Sequence, residues 1–251
     1  MSPTSSYELM PPALGKFRQG NTGVEGVWRF DSGQPGREVL VSALVHGNEL
    51  CGAWAVLAGL QAQIRPQRGA LTWAFCNLEA FDRFDPERPH VSRLVERDMN
   101  RLWGAAAREA PRSADHRRVH ALRPFVELAD WLLDLHSMHD AGPPLGLTGP
   151  LGHHAVQAAA LGAPAMLVAD AGHAAGVRMR DHGRFADAKD TDAFALLVEC
   201  GWHGALSSKT VALDVLHRFL AASGTVGAEQ LPAAWRQPDG KAPQLLEVTE
   251  A

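Results

Sequence analysis

A chain of 251 residues, 46% hydrophobic and 21% charged, is long enough to bury one large core and has the make-up of an ordinary globular protein. Its formal net charge of -4 gives no basic footprint for a nucleic acid, and no apolar window approaches the ~20 residues that cross a bilayer. Three widely spaced cysteines in apolar stretches (Cys51, Cys76 and Cys200), with no secretory leader, fit the reduced core thiols of a soluble, cytoplasmic protein and not a disulfide framework.

Met1 to Gly26 is rich in Ser, Pro and Gly and reads as a lead-in to a strand around Val27 to Phe30. After the turn signal Asp31 to Gly36, the run Glu38 to Val45 is almost purely β-branched and aliphatic, the pattern of a strand buried on both faces in a parallel sheet. A helix follows from about Glu49 to Gln63, until Pro66 and Gly69 break it, and Leu71 to Cys76 is a second buried strand. From Asn77 to Trp103 the composition turns charged and aromatic without a clean period, which predicts a long functional loop with short helical pieces.

Ala114 to Asp130 has helical spacing and Trp131 to Leu135 is a short apolar strand. Gly142 to Gly152 reads as a loop, His153 to Leu161 as a helix and Ala165 to Ala169 as a strand. Asp170 to Thr191, with Arg178, Arg180 and Arg184, predicts a second active-site loop. Phe194 to Val198 is a further buried strand and Ser207 to Ala222 the last clear helix. Gln244 to Thr249 reads as a strand with no visible partner. Residues 1–225 are therefore expected to form one α/β domain, and 226–251 a linker with the start of a β-rich C-terminal domain that is truncated or absent.

Three of the buried strands run into a polar residue that can bind or work a metal: His46 with Glu49, then His136, then Glu199. Two imidazoles and one carboxylate suit a single Zn²⁺ with an open position for water, and a second carboxylate nearby can take the water's proton. Ligands in open α/β sheets sit at the carboxyl ends of the strands, where these residues fall. The charged loop adds Arg93, Asp98, Asn100 and Arg101. Its guanidiniums can hold a carboxylate or an oxyanion, while Asp98 is expected to orient an arginine. The remaining histidines near these segments, His139, His153, His154, His173 and His203, are expected to be turn or core residues, because three ligands already complete a catalytic zinc site.

His-Gly-Asn-Glu after a strand, Asp-Met-Asn-Arg in the loop, Asp-Leu-His-Ser after a strand and Glu-Cys-Gly after a strand occur in that order from about Leu40 to Gly204. In this the sequence resembles the succinylglutamate desuccinylase and aspartoacylase family of the zinc-carboxypeptidase-like superfamily. The resemblance implies a three-layer α/β/α sandwich with a mixed, mostly parallel central sheet. It also implies one zinc per chain on His46, Glu49 and His136, and Glu199 as the catalytic carboxylate. Arg93 would polarise the carbonyl and, with Asn100 and Arg101, bind substrate. Met99 stands where the family more often has Leu. A further family arginine has three candidates here, Arg178, Arg180 and Arg184.

The expected activity is hydrolysis of the amide of a small N-acyl amino acid, with no nucleic-acid or membrane partner and with homo-oligomerisation open. A carboxypeptidase acting on peptides, and a non-catalytic protein binding metal or acyl amino acids, are the alternatives.

Overall fold

The computed structural model describes residues 7–105 and 109–249; the first six residues of the lead-in lie outside them. Eight strands form one sheet: β1 (Val27–Asp31), β2 (Glu38–Ala43), β3 (Ala70–Phe75), β4 (Trp131–Met138), β5 (Leu145–Leu147), β6 (Met166–Ala169), β7 (Phe194–Trp202) and β8 (Gln244–Glu247). Their spatial order is β1-β3-β2-β4-β7-β5-β6-β8. Five of the seven pairings are parallel, and β1 with β3 and β5 with β7 are antiparallel.

The helices are α1 (Leu50–Gln61), the single turn α2 (Leu78–Phe81), α3 (Ala114–Leu128), α4 (Gly152–Ala160) and α5 (Leu206–Ser223). No helix among the described residues is long and apolar enough to cross a membrane.

The central strands are mostly apolar because both sheet faces are covered, and the period-2 alternation sorts most of their apolar side chains into two cores. On one face Val39, Val41, Trp73, Leu133, Leu135, Leu196 and Val198 pack with α1 and α5. On the other, Leu40, Ala74, Leu132 and Ala195 pack with Val119, Leu122 and Val126 of α3 and with Met99, Trp103 and Met179 from the two long loops. This is the expected α/β/α sandwich, with the loops completing the second helical layer. All three cysteines are buried as free thiols.

Several elements differ from the sequence reading, among them β4, which runs on past Leu135 to Met138. β2 stops at Ala43 instead of Val45, because Leu44 takes a left-handed conformation (φ 58°) and turns the chain out of the strand before His46. β7 continues past Val198 to Trp202 through an irregular register with β4 between His136 and Met138, where Gly201 supplies a φ of 104°. The Gly/Pro-rich stretch 142–152 is not all loop: Leu145–Leu147 inserts as β5 between β6 and β7. The strand near the C-terminus has a partner, pairing parallel to β6 from Met166↔Gln244 to Ala169↔Glu247.

The register brings Ala43, Leu135 and Val198 level across β2, β4 and β7, so the residues that follow all emerge at one edge. α1 starts from that edge and lies tight on the sheet. A Cβ on Gly52 would stand 2.8 Å from the Cβ atoms of both Ala43 and Leu135. Gly52→Ala is therefore expected to lower the urea midpoint by an amount equal to about 1–3 kcal/mol, the usual range for overpacking. An unchanged midpoint would show that α1 can lift from the sheet without cost.

Candidate functional site

His46 and Glu49 lie in the turn between β2 and α1, with Glu49 directly before the first helical residue, where the helix dipole favours a carboxylate. His136 lies near the carboxyl end of β4, and all three are buried. Glu49 sits between the two imidazoles: Oε1 is 2.7 Å from His46 Nδ1 and Oε2 is 2.8 Å from His136 Nδ1. One donor atom from each residue lies within 4.8 Å of the others, a spacing that suits one metal ion. Both imidazoles thus turn Nδ1 to the common centre. Each Nε2 faces a carboxylate behind it, Asp98 Oδ1 at 3.0 Å for His46 and Asp134 Oδ2 at 2.9 Å for His136.

Such backing carboxylates fix ring orientation in metal sites. Asp134 is itself held by the Ser42 hydroxyl, which donates at 2.7 Å from the neighbouring strand, and the Ser137 amide donates to Glu49 Oε2 at 3.2 Å.

Charge in this cluster is strongly shared. Burial lowers the affinity of His46 for a proton, but Glu49 and Asp98 outweigh it and the net shift is upward. His136 is raised well above the usual imidazole range against the same burial penalty, by Asp134 and Glu49. Burial pushes the Glu49 carboxyl up, yet the two imidazoles hold it well below its ordinary range.

Gly47 explains how the charged loop reaches this turn. A Cβ there would come within 2.4 Å of backbone atoms of Ala80, Phe81 and Ser92, and the Gly47 amide donates to the Arg93 carbonyl at 3.1 Å. Asp115, buried in the first turn of α3, holds the loop from the other side by accepting from the amides of Glu96 and Arg97 at 2.7 and 2.8 Å. Arg93 Nη1 then donates to Glu49 Oε1 at 3.2 Å and Nη2 to Asp98 Oδ2 at 3.3 Å. Asp98 serves both His46 and Arg93, so it orients an arginine as expected and also backs an imidazole.

Asn100 joins the two long loops: its Oδ1 accepts from the Met179 amide at 2.8 Å, which leaves the side-chain NH₂ for the cavity. Among the described residues Arg101 donates only to the Asn100 carbonyl, at 2.9 Å.

These residues line one cavity of about 540 Å³ with Glu199, His139, Asp140, Asp170 and Arg178. Glu199 lies opposite His136 in the sheet register. Its Oε2 is buried without a hydrogen-bond partner among the described residues, and burial together with Glu49 pushes its pKa up to about 7.

Of the three later arginines, only Arg178 lines the cavity. Arg180 is fully buried against the Thr148 and Ala195 carbonyls, and Arg184 pairs with Asp130 and Asp190. His154 is a core residue bonded at the Ala195 backbone, and His203 Nδ1 is hydrogen-bonded to the Ser137 hydroxyl at 2.8 Å, burial pushing its pKa down to about 4. His139 and His173, by contrast, face the cavity.

The sequence places the candidate metal donors His46, Glu49 and His136 with Glu199, Arg93, Asn100 and Arg101, and in the structure all seven line one cavity. It gave no role to Asp134, Ser42 or Asp115. Asp134 carried a signal: residues two apart on a strand share a face, so a charged residue two before His136 inside an apolar run needs a partner there. For Ser42 and Asp115 the partner is remote in sequence and nothing local marks it.

The raised Glu199 carboxyl has a stability consequence in protein stripped of metal by a chelator. A carboxyl whose folded pKa lies above its unfolded value favours the fold at low pH and loses that contribution as pH rises toward about 7. Glu199→Gln should therefore gain melting temperature over wild type progressively between about pH 4.5 and 7, with a constant gain above. Thermal melts at matched ionic strength check this, and a gain independent of pH would mean that Glu199 is ionised in the fold throughout.

The chain matches the model of the succinylglutamate desuccinylase/aspartoacylase catalytic domain over residues 35–215. Among solved structures it is similar to a succinylglutamate desuccinylase/aspartoacylase from Rhodobacter sphaeroides, with a TM-score of 0.63 at 19% identity, covering 87% of this chain and 64% of that one. It is also similar to the product-bound ectoine utilization protein EutE (DoeB) from Ruegeria pomeroyi, with a TM-score of 0.64 at 17% identity over 89% and 65%. A third is the succinylglutamate desuccinylase from Vibrio parahaemolyticus, with a TM-score of 0.61 at 13% identity over 90% and 76%. The chain thus spans a little under two thirds of the length of the first two. A comparison with curated proteins finds no match. On the family match and the shared fold, the chain belongs to the succinylglutamate desuccinylase/aspartoacylase family.

Proposed function

We propose that this protein is a zinc-dependent amidohydrolase that removes the acyl group from a small N-acyl amino acid, with His46, Glu49 and His136 holding the metal and Glu199 as the catalytic carboxylate. The observation that carries this reading is the buried His46-Glu49-His136 donor set with Glu199 beside it at the wall of a polar cavity. The donors fit zinc in kind, being two imidazoles and a carboxylate, and both imidazoles have a carboxylate behind them to fix the coordinating nitrogen. Zinc bound there would acidify a water and polarise an amide carbonyl.

The chain's own groups do the rest. Hydrolysis adds the hydroxyl of water to the acyl carbon, breaks the C–N bond and needs the water's proton moved to the leaving nitrogen. Glu199, with a proton affinity near neutrality, suits a group that must first take that proton and then return it. Arg93, already beside Glu49, places a guanidinium where an oxyanion develops. Asn100 and Arg101 bind the amino-acid carboxylate, Arg101 being the cavity guanidinium without a carboxylate partner among the described residues. Substrate chemistry of this size fits a cavity of about 540 Å³.

Metal analysis of the purified protein, with release of free amine from a panel of N-acyl amino acids, tests the reading. One zinc per chain and turnover that stops on chelation are expected. Glu199→Gln should retain the metal and lose about 10²–10⁴-fold in kcat. His46→Ala should lose metal and activity together. Asp134→Asn should weaken metal binding about 10–100-fold through His136 while leaving the chain folded. Full turnover by Glu199→Gln would overturn the assignment of that residue, and a metal that binds without any amine release would leave a binding protein.

A further inference from the structure

Two leucines of the cavity belong to neither core, and they bear on which amino acid the proposed amidohydrolase releases, so the inference rests on that reading of the site. Of the buried Val, Leu, Ile, Met, Phe and Trp side chains among the described residues, Leu197 alone packs into neither of the two cores, although it is only 2% exposed. Leu147 is half-buried and packs against neither core. Both line the cavity.

The sheet register places the two leucines beside the reacting groups. Leu197 stands two residues before Glu199 on β7 and so shares its face, and Glu199 is level with His136 on β4. On the other side of β7, Leu147 of β5 is level with Leu197. This is the face that Leu132 and Ala195 present to Met99 and Met179, so the strands floor the cavity and the two long loops roof it. The floor runs from His136 through Glu199 to the two leucines. Above, Arg93 pairs with Glu49 at the metal donors. Arg178 is held by both oxygens of Asp170, at 2.8 and 2.7 Å, and Asp170 follows the end of β6, whose Val168 is level with Leu147. Val177 bridges to Leu102, so Arg101 and Arg178 are neighbours on this leucine side of the roof.

We infer that Leu147 and Leu197 form the floor on which the amino-acid side chain rests, and that the substrate is the N-acyl derivative of an amino acid with an apolar side chain. An amino-acid carboxylate received by Asn100 and Arg101 brings the adjoining side chain over these leucines. Covering them with a hydrocarbon or thioether chain removes apolar surface on both partners from water. A carboxamide or carboxylate laid on the same two side chains gives up hydration and gains no polar partner from them.

The test compares side chains of similar length on the full, zinc-loaded chain. Rates are measured for N-acetylmethionine, N-acetylglutamine and N-acetylglutamate, and dissociation constants by calorimetry for free methionine, glutamine and glutamate. Methionine is expected to lead in kcat/KM and in affinity by about tenfold or more. Leu147→Asn and Leu197→Asn should each shrink the methionine-to-glutamine ratio of kcat/KM by about threefold or more, chiefly through KM. Both rates in that ratio come from one protein sample, so a partly unfolded variant does not alter it. N-Acetylglycine and N-hexanoylglycine test the acyl chain as the occupant instead.

Preference for glutamine or glutamate in both measurements would overturn the inference and leave the amidohydrolase reading standing. So would equal rates across the three side chains with N-hexanoylglycine well ahead of N-acetylglycine, which would give the leucines to the acyl chain. A methionine preference unchanged in both leucine variants would likewise overturn the role of this floor. The expected affinity order with no amine release from any derivative would overturn the amidohydrolase reading and leave the apolar floor standing.

Discussion

The placement of Glu49 between two imidazoles is the constraint on which the rest of the site depends. One carboxylate reaches His46 and His136 at 2.7 and 2.8 Å only if the ends of β2 and β4 are level and α1 begins at their shared edge. Three local features provide that. Leu44 turns the chain off the strand, Gly47 lets the charged loop come in against the turn, and Gly52 lets α1 lie directly on Ala43 and Leu135. Each is a small backbone accommodation, yet the burial of three ionisable groups rests on all of them. A buried carboxylate so placed is tolerable because every oxygen has a partner, and removing any one partner would leave the full desolvation cost exposed.

The second constraint is the joining of two long loops that have little regular structure of their own. Loop 77–103 is held at Gly47 by the Arg93 carbonyl and at Asp115 by two backbone amides. Loop 170–191 is then held to the first by Asn100 at the Met179 amide and by the Trp103 amide at the Val177 carbonyl. Met99, Trp103 and Met179 are buried in the core between α3 and the sheet, so these loops contribute packing as well as function. The loops that carry the arginines facing the cavity are therefore fixed at the backbone by buried groups, while the Arg93 side chain pairs with Glu49 and Asp98 and that of Arg178 with Asp170 and Asp181.

Much of this was legible in the residues, and the parts that were not share a cause. Runs such as Val39 to Ala43 and Phe194 to Val198 announce doubly covered strands because burial on both faces removes nearly all polar residues, Ser42 being the exception in the first run. The four motifs stood out because each places a metal-competent or charged residue next to such a run or in the charged loop between them. Three features failed to show. β5 is three residues long and carries two glycines within three positions of its centre, so its propensity reads as loop until β6 and β7 pair with it. The partner of β8 is 78 residues earlier in the chain, as in Met166↔Gln244, outside anything a local pattern can reveal. The roles of Ser42 and Asp115 likewise exist only through residues brought close by the fold.

The electrostatics of the site also join its stability to its chemistry. Glu49 is held ionised by imidazoles that are themselves held toward the protonated form, so positive charge around it is part of what makes its burial tolerable. Any divalent cation that takes Nδ1 of both rings must displace the protons there, which couples metal affinity to pH: acid favours the protonated imidazoles and opposes the metal. Glu199 feels the same centre from the other side. Its carboxyl is raised by burial and by the negative charge of Glu49, and each added positive charge next to Glu49 draws it back toward ionisation.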